Sequence, residues 1–184
     1  YEKRIDAKGR ETEPTCIDDE IPFEIPDSWE WTRLESVIVL LSGTDLKPSQ
    51  YNEKNEGIPY LTGASNFANG ELIENRWTIK PSRISNKGEL LFTCKGTVGE
   101  MAINQFDAAH IARQIMSITP CEYEMLPYIA LSLRAMVEDI KSHAKGVIPG
   151  IERNTLLARL IPAPPLAEQK RIVGKSAELF GKIA

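Results

Sequence analysis

The sequence predicts an α+β fold in which small mixed and antiparallel sheets are interleaved with helices and followed by a long C-terminal helix that packs as a coiled coil. Three observations carry the prediction. Between residues 126 and 140 the apolar positions Leu126, Ile129, Ala130, Leu133, Met136, Val137 and Ile140 recur at i, i+3, i+4, i+7, the spacing of a helix with one buried face. Two short apolar runs, residues 89–94 and 100–104, flank Lys95-Gly-Thr-Val-Gly, whose glycines supply positive φ for a hairpin connection. After Pro162, Pro164 and Pro165, the residues Gln169, Ile172, Ser176, Leu179 and Ile183 fall at alternating steps of three and four, and Val173, Ala177 and Phe180 widen that stripe.

The remaining elements follow in order. Residues 1–20 are polar, contain Gly9 and Pro14, and show no apolar period, so they read as a linker or entry arm. Residues 21–31 hold Pro22, Pro26, Trp29 and Trp31, which forces an extended strap whose rings need a surface to bury against. The bunched apolar residues between Thr32 and Leu41 predict a short helix running into a buried strand that ends at Gly43. Residues 58–62 read as a strand, and Pro59 places it at a sheet edge. Residues 63–70 read as a loop, and residues 110–118 as one strand with a mixed face. Residues 145–150 break the helix, and residues 153–160 form another short element that returns to Ile161. The tail prolines preset the first turn of the final helix, on which Leu166, Ile172, Val173, Leu179, Phe180 and Ile183 are the candidate assembly residues. Periodicity alone serves equally a helix folded back on its own domain and one packed on a partner.

A chain of 184 residues, 42% hydrophobic, can bury one sizeable core, so the expected organisation is an arm at 1–20, a domain at 21–160 and a helical appendage at 161–184. Opening on Tyr1 and stopping inside a helix pattern, it reads as a fragment of something longer. No apolar run reaches the roughly 20 residues that cross a bilayer and no signal peptide opens the chain, so the expectation is a cytoplasmic protein with no membrane contact. Cys16, Cys94 and Cys121 are odd in number and far apart, which argues for reduced thiols rather than disulfides or zinc, with Cys94 a core residue.

Signals for catalysis are missing. His110 and His143 stand apart from each other and from any Cys or carboxylate at metal-ligand spacing, and read as surface or loop histidines. No nucleophile elbow, zinc-protease helix or dinucleotide fingerprint occurs, so no cofactor and no metal are expected. The net charge of −4 does not advertise nucleic-acid binding, yet residues 76–95 carry Arg76, Lys80, Arg83, Lys87 and Lys95 against Glu89 alone. Phosphates require Arg and Lys, and base edges require Arg, Asn, Gln and Ser, so the DNA-contact candidates are Lys47, Ser65, Asn66, Asn69, Arg76, Lys80, Arg83, Lys87, Lys95 and Arg113. Such an inventory serves a protein-interaction scaffold without DNA contact as well as it serves a DNA reader.

Four stretches taken together separate these readings: Ile25-Pro-Asp-Ser-Trp-Glu-Trp-Thr-Arg-Leu; Lys95-Gly-Thr-Val-Gly after Leu90-Leu-Phe; residues 110–120; and Leu160-Ile-Pro-Ala-Pro-Pro-Leu-Ala-Glu-Gln-Lys-Arg-Ile-Val. In this order and spacing the chain resembles the specificity subunit of a type I restriction-modification system, over residues 21–183. Ala163 stands where the family's pattern commonly has Leu. The resemblance implies one non-catalytic target recognition domain and the start of its conserved helix, reading one half of a split target on double-stranded DNA. It further implies as partners a second recognition half of the same subunit, modification subunits that methylate and restriction subunits that cleave. A recognition domain fused to its own catalytic domain is the remaining alternative.

Overall fold

Which strands lie deepest follows from which carry no polar alternation. Leu90, Leu91 and Phe92 are fully buried, as only a strand covered on both faces can be. The computed structural model, which describes residues 1–3, 5, 8–144, 146 and 150–181, places them at the centre of a three-layer arrangement. Its first half comprises β1 (Glu30–Arg33), α1 (Leu34–Val37), β2 (Ile38–Ser42), β3 (Ile58–Leu61), β4 (Phe67–Ala68), β5 (Glu71–Leu72), β6 (Trp77–Thr78) and β7 (Ile84–Asn86). Then come β8 (Leu90–Thr93), β9 (Met101–Ile103), β10 (Ala108–Ile111) and β11 (Ile115–Pro120). The chain closes with α2 (Leu126–Ala135), α3 (Val137–Ser142), α4 (Arg153–Leu157), β12 (Leu160–Ala163) and α5 (Leu166–Phe180).

The central sheet has the order β2-β11-β8-β9 and is antiparallel throughout. Ile38, Leu40, Leu90, Phe92, Met101, Met116 and Ile118 cluster with Leu126, Ile129 and Leu133 of α2, Ile140 of α3, Leu156 of α4 and Ile161 of β12. Its opposite face, Leu91, Ala102 and Ile115, meets Leu61, Ala109 and Ile111 of a second sheet, ordered β6-β3-β10-β7, together with Leu72 of β5. Each of these large side chains, once taken from water, stabilises the fold by roughly 1.5–3 kcal/mol. Polar residues between the sheets are paired. Ser117 donates to Glu89 at 2.6 Å and its oxygen lies 3.0 Å from the Ser85 hydroxyl, from which it can accept, and Asn104 donates to the Ser85 carbonyl at 3.0 Å.

The expected hairpin is present as β8 and β9, with Gly96 and Gly99 at positive φ. Thr32–Leu41 is a strand, one helical turn and a second strand. Elsewhere the structure departs from the pattern. Residues 110–118 are two strands rather than one: the chain turns at 112–114, with the Ile115 N–H returned to the Ala112 carbonyl, and passes from one sheet to the other. Pro59 is not on an edge strand, since β3 lies between β6 and β10. Its opposite residue Trp77 exchanges its N–H and carbonyl with Asn52, so no ladder bond is asked of the proline there. Residues 63–70 hold the start of a small hairpin, β4 and β5, turned by Asn69 and Gly70, both at positive φ. The long helix is broken at Met136 into α2 and α3.

Both ends of the chain meet at β1 and β12, which pair antiparallel from Glu30 opposite Ala163 to Arg33 opposite Leu160. Arg33 is buried there, its guanidinium bonded to Glu2, to Glu20 and to the Ala158 carbonyl, which ties the N-terminal arm to the domain and raises the Arg33 pKa. The strap rings stack edge to face, with Phe23 and Trp31 centroids 5.0 Å apart. Helix α5 rests its first half on α2; Gln169 is buried and Lys170 pairs with Glu124, whereas Leu179 and Phe180 are exposed. Gly181 at φ 78° ends the helix, and Ile183 lies outside the described residues. No helix among the described residues is long and apolar enough to cross a membrane.

Candidate nucleic-acid interface

Strand register decides which loops meet. β3 and β10 run parallel, Tyr60 beside His110 and Leu61 beside Ile111, with β6 and β7 antiparallel on their outer sides. The C-terminal ends of β3 and β10 therefore share one rim with the N-terminal ends of β6 and β7. The turn at 112–114 is the hub of that rim. Ala112 N–H donates to the Leu61 carbonyl at 2.9 Å, Ile111 N–H to Arg83 at 3.0 Å, Thr44 N–H to Ile111 at 3.0 Å, and Cys94 N–H to Gln114 at 2.8 Å. Gly43 is required beside it, because a Cβ there would run into the Ala112 carbonyl.

This geometry gathers residues far apart in sequence. Arg113 is on the hub, Arg83 flanks it across the β7 junction, and Lys95 directly follows Cys94. Arg76, whose carbonyl accepts the Tyr60 N–H, enters from β6, while Ser65 is exposed on the turn that follows β3. Lys47 is exposed on the 43–51 loop, two residues beyond Asp45, which pairs with Arg113 at 2.8 Å. In a chain of net charge −4, five cations thus converge on a rim or its adjoining loop, a local field of the kind that phosphates seek.

Beneath the rim a stack of rings fixes the loops. Arg76 lies over Tyr51 with 5.3 Å to the centroid, Tyr51 and Tyr60 are 5.4 Å apart, and Tyr60 and His110 are 5.1 Å apart. His110 is fully buried, contrary to the surface or loop position expected for it. Its Nδ1 accepts the N–H groups of Ser82 and Arg83 at 3.3 and 3.2 Å, and its Nε2 lies 2.9 Å from the Thr44 carbonyl. An acceptor Nδ1 and a donor Nε2 define the neutral tautomer, and burial pushes the His110 pKa below its ordinary value. One ring thereby joins the crossing segment 79–83 to the 43–51 loop. Tyr60 is held too, its pKa raised by burial and its hydroxyl accepting the Leu46 N–H at 3.2 Å.

Four candidates are not gathered on the rim. Lys87 is at the opposite end of the same sheet, paired with Asp107 at 3.4 Å, and Asn69 is at the tip of the β4-β5 hairpin. Lys80 lies in the crossing segment, with its N–H on the Thr78 hydroxyl. Asn66 is fully buried: its Oδ1 accepts the N–H groups of Thr62 and Gly63, and its Nδ2 donates to the Ile73 carbonyl, so no polar atom remains to present outward. Asp45, Tyr51, Tyr60 and His110 escaped sequence reasoning. Only the His110 position carried a signal, a lone imidazole inside an apolar run. Cys94 is buried beside the hub, its thiol pushed up to about 11 by burial, which removes it as a nucleophile.

Comparison with known proteins places this chain in a family. Residues 26–175 match the family model described as Type I restriction modification DNA specificity domain. Among curated relatives, one from Methanocaldococcus jannaschii named for the specificity subunit of the type I restriction enzyme MjaX is 28% identical over 153 residues, covering 81% of this chain and 36% of that protein. The EcoAI specificity subunit of Escherichia coli is 23% identical over 97% of this chain and 32% of its own length. The chain therefore spans about a third of these relatives. In fold it is similar to the HsdS subunit from Thermoanaerobacter tengcongensis, with TM-score 0.77, 23% identity and coverage of 88% of this chain and 40% of that one.

Proposed function

Because this chain belongs to the family of type I restriction modification DNA specificity domains, we propose that its basic rim reads one half of a bipartite target on double-stranded DNA. The observation that carries the reading is the convergence of Arg76, Arg83, Lys95 and Arg113, with Lys47 and Ser65 alongside, around the turn at 112–114. These side chains come from separate strands and loops, which a solvated charged surface would not require. The rigid sheet ends beneath them supply the preorganisation that base reading needs. Asn66 takes a supporting part, holding the turn on which Ser65 stands.

The same reading divides the chain into an entry arm at 1–20, a target recognition domain at 21–160 and the start of a spacer helix at 161–184. It gives the chain recognition and leaves methylation and cleavage to separate modification and restriction subunits in the cytoplasm. The second recognition half of the same subunit is the partner for the exposed end of α5, through Leu179 and Phe180. Leu166, Ile172 and Val173 are half-buried on the same helix, which packs on α2.

Selection from random duplexes tests the reading directly, alone and with modification subunits present. A short enriched motif supports it; uniform recovery of all sequences refutes it. Replacing Arg76 and Arg83 together by Ala should weaken binding to every duplex and reduce the salt slope by roughly one unit per lost phosphate contact. Unchanged affinity and slope would remove these two residues from the interface.

A further inference from the structure

Arg113 differs from the other cations of the rim in being held by a carboxylate. The Asp45 carboxylate accepts the Arg113 main-chain N–H on Oδ1 at 3.2 Å and lies 2.8 Å from the side-chain Nε through Oδ2. One carboxylate therefore fixes both the backbone and the side chain of a residue 68 positions away. Asp45 is fixed in turn by its neighbours. Thr44 gives its N–H to Ile111 and its carbonyl to His110, and Leu46 gives its N–H to Tyr60. Loop and hub are thus locked in register before any ligand arrives.

Stability does not explain this arrangement, because the Arg113 and Asp45 side chains are 62% and 45% exposed and such pairs contribute little. What the pair does is orient. With Nε beside Asp45, the terminal Nη1–Nη2 edge remains, and the one further hydrogen bond that Arg113 makes among the described residues is accepted by its main-chain carbonyl from the Cys94 thiol. Two parallel N–H donors in a fixed plane match O6 and N7 of a guanine in the major groove. A phosphate contact needs no such plane, since a cation on a free stem suffices, and a carboxylate beside it would repel the phosphate.

We infer that Asp45 and Arg113 form a guanine-reading unit, Arg113 being the base-contacting residue and Asp45 the residue that positions it. The inference rests on the reading of the rim as a DNA interface. Duplex selection on the unaltered chain, Arg113→Lys, Arg113→Ala and Asp45→Ala, each with a salt titration on the enriched duplex, tests it. Arg113→Lys keeps the charge and loses the fork, so the enriched motif should lose preference at one G·C pair by roughly 5- to 150-fold, with the salt slope unchanged. Asp45→Ala should relax the same pair by a smaller factor, with unchanged melting. A motif unaltered in all three variants overturns the inference, as does an Arg113→Ala chain that keeps its motif while its salt slope falls by about one unit. In either case an enriched motif in the unaltered chain still upholds DNA reading; failure of that chain to enrich any motif refutes both.

Discussion

Asn66 offers the sharpest separation between a residue that contacts DNA and one that builds the surface for contact. Its amide is fully buried and receives the Thr62 N–H at 2.7 Å and the Gly63 N–H at 3.3 Å, while giving a hydrogen to the Ile73 carbonyl at 2.7 Å. Asn66→Ala removes the partner of three backbone groups at once. Each group left unsatisfied in the interior costs about 1–3 kcal/mol, and partial access of water brings the sum toward the lower end, about 3 kcal/mol. For a chain of 184 residues that corresponds to a fall of roughly 6–12 °C in Tm. Urea unfolding gives the free energy from the midpoint, and duplex selection below the melting temperature gives the motif. A loss under 1 kcal/mol together with a changed motif would refute the buried role and return Asn66 to the interface.

Acidification provides a second test, through His110. Burial holds its folded pKa below the ordinary value near 6.5, against the opposing pull of the Thr44 carbonyl and, more weakly, of Asp45, so between those two values the unfolded chain binds more protons than the folded one. Stability should therefore rise with pH across that window and be lost progressively as pH falls below about 6.5, an effect that His110→Gln should flatten; equal slopes in urea titrations from pH 5 to 8 would contradict the assignment. Glu89 acts in a lower window. Burial raises its pKa, but hydrogen bonds from Ser117 and Asn86 outweigh this and hold it below 4.5, so its contribution is present above that value and disappears as pH falls through the folded value. At the other end of the molecule, Leu179→Glu with Phe180→Glu should change folding stability by less than about 0.5 kcal/mol, because both side chains are exposed. The same pair should abolish association with the second recognition half in sedimentation; retained association would place the partner elsewhere.

What was legible in the sequence depended on how local its cause is. The hairpin of β8 and β9 is set by two glycines in a seven-residue connection, and α2 by a 3.6-residue apolar period, so both could be read directly. The Asn69-Gly70 turn was equally local and could have been found, since that dipeptide is the strongest short signal for a hairpin. The division of β10 from β11 was not. Ala112, Arg113 and Gln114 continue the alternation of their flanks, and the turn exists because Leu61, Arg83, Thr44 and Cys94 all supply or accept bonds there. Sequence composition singled out residues 76–95 as a basic run, but the register sends Lys87 to the far end of the sheet and substitutes Arg113, which lies outside that run. A rim made by four strand ends has no sequence neighbourhood to show it.

The terminal helix shows why periodicity could not choose between a folded-back and a partnered tail. Leu166, Ile172, Val173 and Ser176 lie on a half-covered face, Gln169 is buried with its amide on the Pro164 carbonyl, and Tyr128 of α2 donates to the Pro162 carbonyl at 2.8 Å. One turn further on, Leu179 and Phe180 continue the same stripe, 64% and 83% exposed. A single apolar face thus serves two surfaces in succession, its own domain first and open solvent next. Periodicity reports that a face is apolar and is silent on what covers it. Because β12 pairs with β1 and its Ile161 is fully buried in the core, the direction of α5 is set by the domain rather than by a free joint. A rim and a helix rooted in the same packed body keep a fixed distance, and the reading of a split DNA target proposed above requires such a distance.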